Sequence, residues 1–257
     1  MEPRILKKHT PYILVSAAVP GEVDGLRSRM EASSQGSAGF AGQLLSGRIR
    51  ETEVMLLVTG PGLVNTACAL AAAIESRRPG LIIQTGCAGA FKASGLRIGD
   101  IGVATQEIDV QLGLESGTGD HFSMIRDLPF PVLKIDNAEY FNRYPVDAQW
   151  TDVAYHHLGR VFAATDIRVQ KGPFVTVSTI TATNHRAEHL YGAYGAIMEQ
   201  MEGSAAAHVA AGYGISFVEI RCAANHVGYR DRKNWDLPLA FKNSSMAVYE
   251  FIQTIKL

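Results

Sequence analysis

The chain has 257 residues, of which 47% are hydrophobic and 19% charged, and its formal net charge is −1 at pH 7. This apolar content with so little net charge excludes an intrinsically disordered chain. The balance of 24 Lys and Arg residues against 25 Asp and Glu residues gives no whole-chain attraction for nucleic acid or an anionic membrane. We therefore expect neither kind of partner.

The cysteines and the N-terminal segment bear on the cellular compartment. Cys68, Cys87 and Cys222 are too few and too scattered for a disulfide framework, and they lack the C-x-x-C spacing of a zinc site. The apolar run at residues 12–19 stops at Pro20, which favours a buried strand over a signal sequence. No run reaches the roughly 18 apolar residues of a membrane span. The sequence predicts a cytoplasmic protein.

Apolar runs typical of strands alternate along the chain with segments of helical periodicity. In the second helical segment Ala67, Leu70 and Ile74 share one face, and Pro79 and Gly80 end it. In chain order we predict strand 12–19, helix 22–31, strand 53–59, helix 64–78, strands 81–84, 101–105 and 174–178, helix 203–211, strand 215–221 and helix 237–255.

This alternation indicates an α/β sandwich with a largely parallel central sheet flanked by helices. We find no internal repeat, no low-complexity tract and no linker that would separate domains, so we expect a single domain over residues 1–257. Residues 113–127 are polar, contain Gly and Ser, and are predicted to form a long loop.

Two small-residue segments follow predicted strands, at the edge where open α/β sheets bind ligands. Gly60, Pro61 and Gly62 predict a tight strand-to-helix turn. Asn65 stands where a dinucleotide-binding fingerprint needs its third glycine, so a nicotinamide-dependent dehydrogenase is disfavoured. Residues 85–90 (TGCAGA) allow either close approach of a ligand to the backbone or close packing of the strand against a helix.

Charged side chains in apolar surroundings mark two more candidate segments. Glu199 and Glu202 precede an Ala-rich helix, and carboxylates are costly to bury unless they meet donors. A carboxylate at a helix start also serves as a cap partner. Arg221 and Asn225 end an apolar strand and so lie at the ligand edge, although a structural ion pair also explains Arg221.

Other catalytic chemistries find little support. His185 and His189 are four residues apart and share a helical face, but no third ligand accompanies them, so we predict no metal site. His208 lies in a small-residue segment typical of a packing histidine. The sequence contains neither the G-x-S-x-G motif nor a P-loop.

Taken together and in this order, the segments resemble the nucleoside phosphorylase/nucleosidase superfamily. The resemblance implies a three-layer α/β sandwich with a twisted, mixed central sheet, commonly in a homo-oligomer. It also implies cleavage of a purine N-glycosidic bond in a nucleoside substrate, without a metal or organic cofactor. The matching segments are 19–23 (VPGEV), 59–65 (TGPGLVN), 84–90 (QTGCAGA), 201–203 (MEG) and 219–225 (EIRCAAN).

Within the superfamily, the chain is most similar to the futalosine hydrolase family of menaquinone biosynthesis. The segment at residues 177–181 (VSTIT) and the tail at residues 225–232 (NHVGYRDR) with Trp235 carry this similarity. The methylthioadenosine/S-adenosylhomocysteine nucleosidases are a closely related family and the first alternative for the function. The purine nucleoside phosphorylases are a second alternative. A catalytically silent nucleoside-binding protein is the alternative outside the enzymes.

The resemblance also implies roles for particular residues. Glu22 matches the glutamate that positions and deprotonates the attacking water. Glu202 matches the carboxylate that holds the ribose 2′- and 3′-hydroxyls, and Met201 matches the side chain beneath the sugar. Arg221 either orients a glutamate or binds an anion. The remaining residues expected to bind substrate are Cys87, Ala88, Gly89 and Thr181.

Two residues depart from the pattern of the relatives. Cys87 stands where related enzymes often carry a serine, which belongs to the phosphate site of the phosphorylases. A thiol is a poor donor to phosphate, which favours water as the nucleophile. Asn225 stands where adenine-specific nucleosidases usually carry an aspartate. An amide both donates and accepts, so Asn225 suits a 6-oxopurine such as hypoxanthine or guanine. It cannot act as a general acid, so its expected catalytic role is to stabilise N7 of the departing base by hydrogen bonding alone.

Overall fold

The structure is a computed structural model that describes residues 11–37, 43–115, 125–126 and 128–256. Within these residues ten strands form one sheet, and two short strand pairs lie beside it. The strands are β1 (Ile13–Ala17), β2 (Glu31–Ser37), β3 (Gln43–Ile49), β4 (Thr52–Val58), β5 (Leu81–Ala90), β6 (Ile101–Asp109), β7 (Leu114–Glu115), β8 (Ile125–Arg126), β9 (Leu133–Ile135), β10 (Ala138–Tyr140), β11 (Arg143–Pro145), β12 (Val169–Thr176), β13 (Met198–Gln200) and β14 (Ser216–His226).

The helices end where short polar side chains and glycines provide caps. Asp147, Thr183 and Asp236 each accept a backbone N–H bond at a helix start, while Gly195 and Gly214 end two helices in the left-handed conformation. The helices are α1 (Gly21–Arg27), α2 (Leu63–Ser76), α3 (Ala148–Val161), α4 (Asn184–Tyr194), α5 (Gly203–Tyr213) and α6 (Leu237–Ile252).

The sheet is mixed, and part of it closes on itself. Its strand order is β11-β6-β12-β13-β5-β1-β4-β3-β2. Strand β14 pairs in parallel with β5 on one side and antiparallel with β6 on the other. Strands β5, β13, β12, β6 and β14 therefore form a ring, and β1 to β4 extend from it as an open sheet.

Alternating side chains of the sheet pack against helices on its two faces. Ile13 and Val15 of β1 belong to a core that includes α1, α3 and α6. Leu14, between them, belongs to a core built with α2 and α5. This two-residue alternation is what a strand covered on both sides requires. It gives the three layers that the sequence predicts.

The predicted α/β fold with a mixed sheet is therefore observed, and every predicted strand and helix has a counterpart. Predicted helix 22–31 is shorter, because α1 ends at Arg27. Strands β5 and β14 continue to Ala90 and His226, past their predicted ends. Strands β2, β3, β7 to β11 and β13 and helices α3 and α4 were not predicted.

The predicted loop at residues 113–127 is only partly described. Leu114–Glu115 pairs antiparallel with Ile125–Arg126, and residues 116–124 and 127 lie outside the described residues. No helix in the described part of the chain has both the length and the apolar character needed to cross a membrane.

Candidate active site

One cavity of about 310 Å³ opens where β1, β5 and β14 end. All nine residues that the sequence analysis selected lie in its wall, although they come from widely separated parts of the chain. Ligand sites at the carboxyl ends of sheet strands are expected for this architecture. The nine residues are Glu22, Cys87, Ala88, Gly89, Thr181, Met201, Glu202, Arg221 and Asn225.

Glu22 is fixed in the cavity wall by backbone donors. It lies in the first turn of α1, directly after β1, and is 2% exposed. Its Oε2 accepts hydrogen bonds from the N–H groups of Ala18 at 2.9 Å and Val19 at 3.1 Å. Its Oε1 accepts one from the N–H of Cys87 at 2.9 Å. The carboxylate is therefore held in one orientation between two parallel strands.

A glycine in β5 makes room for this carboxylate. Gly86 has a φ of +139°, and a Cβ at this position would overlap Oε1 and Oε2 of Glu22. Any other residue at position 86 would therefore strain the backbone and displace the carboxylate. The small residues at 85–90 thus allow a close approach of Glu22, besides lining the cavity with Cys87, Ala88 and Gly89.

Glu202 is held by a backbone amide and a guanidinium. It is 3% exposed and immediately precedes α5. Its Oε1 accepts from the N–H of Gly62 at 2.9 Å, and its Oε2 accepts from Nη2 of Arg221 at 3.1 Å. The turn at residues 60–62 therefore helps to position the Glu202 carboxylate.

Gln200, not Glu202, caps helix α5. Its side-chain oxygen accepts from the backbone N–H of Glu202 at 2.6 Å and of Gly203 at 2.7 Å. Its amide nitrogen donates to Glu107 and to Thr176, both at 2.8 Å. The alternative that Glu202 is only a helix cap therefore fails, because its side chain makes no hydrogen bond to the helix start.

Arg221 joins three elements beneath the cavity. It is 1% exposed. Its Nε donates to Oε1 of Glu219 at 2.7 Å, and its Nη1 donates to the carbonyl of Cys87 at 3.0 Å. Burial alone would lower the pKa of Arg221, but the charges of Glu219, Glu202 and Glu22 raise it, so the side chain is a cation. Its contacts are those of a residue that orients glutamates.

A second pair of buried carboxyl groups lies behind Arg221. Glu107 and Glu219 are both 0% exposed. Burial, the charge of Glu219 and a hydrogen bond between the two raise the pKa of Glu107 well above its usual range. Two carboxylates this close cannot both ionise, so Glu107 carries the proton and Glu219 pairs with Arg221. Sequence analysis gave neither residue a role, although the two-residue spacing of Glu219 and Arg221 places both on one face of β14.

Asn225 and Cys87 present weaker polar groups to the cavity. Nδ2 of Asn225 donates to the carbonyl of His226 at 2.9 Å, which leaves its second hydrogen and its Oδ1 for other partners. Burial and the charge of Glu22 raise the pKa of Cys87 to about 12. The Cys87 thiol is therefore neutral at physiological pH and unsuited to act as a nucleophile.

The segment that precedes α4 contributes Thr181, which is 2% exposed. Its backbone N–H donates to Oε1 of Glu199 at 3.1 Å. Glu199 also lines the cavity, together with Arg230, Trp235 and further residues to which sequence analysis assigned no role. In the sequence, Glu199 stood out as a candidate because a carboxylate is costly to bury unless it meets hydrogen-bond donors.

The described residues contain no group of three or more His, Cys, Asp or Glu side chains arranged to hold a metal ion. His185 and His189 share helix α4, as their spacing indicates. The imidazole Nδ1 of His208 lies 3.0 Å from the hydroxyl of Tyr144, in the packing between α5 and the sheet.

The fold is that of the nucleoside phosphorylase and nucleosidase class, and comparison with known proteins agrees. Residues 12–254 match the family described as "Phosphorylase superfamily". The chain therefore belongs to the phosphorylase superfamily, and the resemblance predicted from its motifs is confirmed.

Relatives with known names match this chain over most of its length. A futalosine hydrolase of Thermus thermophilus is 30% identical, covering 78% of this chain and 81% of the relative. A futalosine hydrolase of Acidothermus cellulolyticus is 33% identical, covering 89% and 85%. A 5′-methylthioadenosine/S-adenosylhomocysteine nucleosidase of a Geobacillus species is 24% identical over 95% of this chain and 99% of the relative.

Solved structures share the fold at lower sequence identity. The 5′-methylthioadenosine/S-adenosylhomocysteine nucleosidase of Neisseria meningitidis aligns with a TM-score of 0.80 at 21% identity, covering 96% of this chain and 100% of that one. The futalosine hydrolase of Helicobacter pylori aligns with a TM-score of 0.78 at 16% identity, covering 95% and 98%. These likenesses confirm the predicted fold class.

Gly86→Ala tests the close approach of β5 to Glu22. We expect the free energy of unfolding to fall by about 1–3 kcal/mol, because the residue is held at positive φ and its methyl group meets a fixed carboxylate. Gly192→Ala is the control, since a Cβ there meets nothing within 4 Å and Gly192 lies in α4. Urea denaturation measures both. Equal stability of the two variants would contradict the packing described for Gly86.

Proposed function

We propose that this chain hydrolyses the N-glycosidic bond of a purine nucleoside and that its substrate is futalosine, which yields hypoxanthine and dehypoxanthinylfutalosine in menaquinone biosynthesis. One observation carries the proposal: Glu22 and Glu202 are both fixed in the wall of a single cavity, each by groups that leave part of its carboxylate free. The two futalosine hydrolases with 30% and 33% identity support the choice of substrate.

Glu22 is the general base of the proposed reaction. The bond between C1′ of the ribose and N9 of the purine breaks, and its electron pair leaves with the base. A water oxygen then bonds to C1′ and gives a proton to Glu22, while the departing purine anion takes a proton from solvent and becomes neutral; Glu22 later returns its proton to solvent. The three backbone N–H bonds fix the Glu22 carboxylate, and an ionised carboxylate has about four lone-pair sites, so it can also accept from water.

Glu202 holds the ribose and stabilises positive charge on it. Its contact with Arg221 orients the carboxylate, and the remaining lone pairs accept from the 2′- and 3′-hydroxyls. Met201 packs beneath the sugar. Preorganised negative charge is most effective where positive charge develops in the transition state, and a water-excluded wall strengthens it. The buried position of Glu22 and Glu202 meets this requirement.

Water rather than phosphate is the proposed nucleophile. Cys87 occupies the place of the serine that belongs to the phosphate site of phosphorylases, and its buried thiol is neutral. A thiol is only a weak hydrogen-bond donor. The buried cation Arg221 is already shared among Glu219, Glu202 and the carbonyl of Cys87, which leaves little of it for a phosphate.

A second candidate is an adenine-releasing nucleosidase. The relatives named 5′-methylthioadenosine/S-adenosylhomocysteine nucleosidase favour it, since they match nearly the whole chain, although at 24–28% identity. Asn225 favours the first candidate, because its amide can donate to a 6-oxygen.

Product analysis distinguishes these functions. Futalosine, inosine, aminodeoxyfutalosine and methylthioadenosine are each incubated with the protein, with and without phosphate, and the products are separated by chromatography. We expect hypoxanthine from futalosine at a rate that phosphate does not change. Adenine release would support the second candidate, and ribose-1-phosphate formation would indicate a phosphorylase. Tight nucleoside binding without turnover would indicate a silent binding protein.

The same family assignment leads us to propose that the protein is a cytoplasmic homo-oligomer, a dimer or larger. The resemblance to the superfamily implies such an assembly. Light scattering of the purified protein measures the molar mass, for which a single-chain mass of 27.8 kDa would contradict the proposal.

Glu22→Gln should keep the fold and substrate binding but lower turnover by roughly 10²–10⁴-fold, because a neutral amide cannot accept the proton of the attacking water. Asp24→Asn, an exposed change in the same helix, is the control. Steady-state kinetics with futalosine measures both. A Glu22→Gln variant with more than about a third of wild-type turnover would remove Glu22 from the mechanism.

Glu202→Gln should lower turnover strongly, because the ribose hydroxyls lose a charged acceptor. Wild-type protein should therefore process a 2′-deoxynucleoside poorly, and the variant should discriminate less between the two sugars. Circular dichroism checks that the variant is folded, since Arg221 loses an ionic partner. Equal discrimination by both proteins would place Glu202 away from the sugar.

Asn225→Asp should shift base preference from 6-oxopurines toward 6-aminopurines. The new carboxylate accepts from a 6-amino group and repels a 6-oxygen, and sites built for one such group can reject the other by several powers of ten. The measurement is the ratio of kcat/KM for futalosine to that for its 6-amino analogue. Asn137→Asp, an exposed change, is the control. An unchanged ratio would mean that Asn225 does not contact the base.

A further inference from the structure

Two buried glutamates behind Arg221 have no task in the proposed mechanism. Glu107 in β6 and Glu219 in β14 are both 0% exposed, and the cavity wall includes neither. Burying carboxyl groups is costly, and well-packed apolar residues of similar volume would often give equal or greater stability. The pair is therefore better explained by function than by stability.

The hydrogen bonds around the pair place its proton on Glu107. A hydrogen bond joins the two carboxyl groups, which requires that one of them be protonated. Oε1 of Glu219 accepts from Nε of Arg221 at 2.7 Å, and Oε2 of Glu107 accepts from the amide of Gln200 at 2.8 Å. Oε1 of Glu107 and Oε2 of Glu219 receive no other hydrogen bond within the described part of the chain, so they share the proton. The carboxylate beside the cation keeps the negative charge.

Helix α5 begins directly beside the two carboxyl groups. Gly203 is its first residue, and a Cβ at this position would overlap Oε2 of Glu107 and Oε2 of Glu219. The missing side chain thus lets both groups approach the start of the helix, whose positive end stabilises a negative charge. The charge of Glu219 is held between this helix start and Arg221.

Arg221 is shared by two carboxylates on different sides. Glu219 contacts its Nε at 2.7 Å, and Glu202, in the cavity wall, contacts its Nη2 at 3.1 Å. One positive charge therefore lies between two negative charges, and the three groups together are negative. If Glu219 were neutral, Arg221 and Glu202 would compensate each other. A ribosyl group that becomes positive in the transition state would then meet little net charge.

We propose that Glu219 is a positioning residue for catalysis: it neutralises Arg221 from outside the cavity, so that Glu202 presents an uncompensated negative charge to the ribose. This inference deepens the proposed function and rests on it for placing the ribose at Glu202. Glu107 holds the proton that would otherwise neutralise Glu219.

The simpler alternative is that Glu219 only holds the Arg221 side chain in place, and two isosteric variants separate these roles. In Glu107→Gln the amide copies the protonated acid, so the negative charge stays on Glu219. In Glu219→Gln the amide oxygen still accepts from Arg221, while the amide nitrogen donates to Glu107, which then carries the charge. Both variants keep the hydrogen bonds and the total charge. They differ in whether the charge lies against Arg221.

The experiment titrates the full-length proteins in a calorimeter with two ligands of similar shape. One is 9-deazainosine, whose ribose is neutral, and the other is its iminoribitol analogue, in which a protonated nitrogen replaces the ring oxygen of the sugar. Wild-type protein and Glu107→Gln should bind the cationic ligand more tightly than the neutral one. In Glu219→Gln this preference should fall by roughly 10–100-fold, as is typical when the outer partner of a functional ligand is removed.

The same variants are compared in steady-state kinetics with futalosine. In Glu219→Gln the value of kcat should fall while KM stays nearly unchanged, because the lost interaction acts only when the sugar is positive. Glu51→Gln, at a side chain that is fully exposed, is the control and should behave as wild type in both measurements. Circular dichroism checks that each variant is folded.

Infrared spectroscopy locates the proton without a ligand, and this measurement does not depend on Glu219→Gln being folded. The difference spectrum between wild type and Glu107→Gln at neutral pH should contain the C=O stretch of a buried carboxylic acid. Absence of this band would overturn the charge assignment on which the role of Glu219 depends.

Failure of this inference is distinguishable from failure of the proposed function. An unchanged preference for the cationic ligand in folded Glu219→Gln overturns the role of Glu219, even if futalosine is hydrolysed. So does an equal loss of affinity for both ligands, an equal effect in Glu107→Gln, or a wild type without the preference. If product analysis shows adenine release, the same ligand pair with 9-deazaadenine repeats the test. The expected pattern would then support the role of Glu219, and the choice of futalosine would be wrong.

Discussion

The buried cation Arg221 determines how the site is assembled. A guanidinium that is 1% exposed is tolerated only where carboxylates and carbonyls surround it. Glu219, Glu202 and the carbonyl of Cys87 do so from β14, from the start of α5 and from β5. The contacts of Arg221 therefore hold β14, the start of α5 and β5 together. Glu22 accepts a hydrogen bond from the backbone N–H of Cys87 in β5. The positions of Glu22 and Glu202 are therefore both fixed relative to Cys87.

The sequence predicted the parts of the fold whose apolar pattern is strong. Buried strands such as β1 and long helices such as α2 show continuous runs or a clear helical period. Edge strand β2 reads EASSQGS and, within the described part of the chain, pairs with β3 alone, so it needs no apolar pattern. Helix α4 reads NHRAEHLYGAY, and its polarity with an internal glycine hides it. Strand β13 has three residues, too few to show any period.

The predicted site residues lie together because most of them stand where strands end. Topology brings such positions to one edge whatever the details of the loops, so the strand pattern was sufficient to group Cys87, Arg221 and Asn225. Glu22, Met201 and Thr181 were added by the resemblance to the superfamily. Their roles stay predictions. The pairing of Glu107 with Glu219 had no sequence signal, since it joins β6 to β14, which are distant in the chain. Capping of α5 by Gln200 was equally hidden, because the usual cap residues are shorter.

The closed part of the sheet affects how the cavity behaves over time. Strand β14, which supplies Arg221 and Asn225, pairs with β5 along most of its length and at residues 220–222 also pairs with β6 on its other side. To move it, the ladders to β5 and to β6 must break together, and such openings approach the cost of global unfolding. Amide hydrogens in its middle should exchange with solvent slowly. We therefore expect the sheet side of the cavity to be more rigid than the part of its wall that lies outside the sheet, such as the segment that carries Arg230 and Trp235.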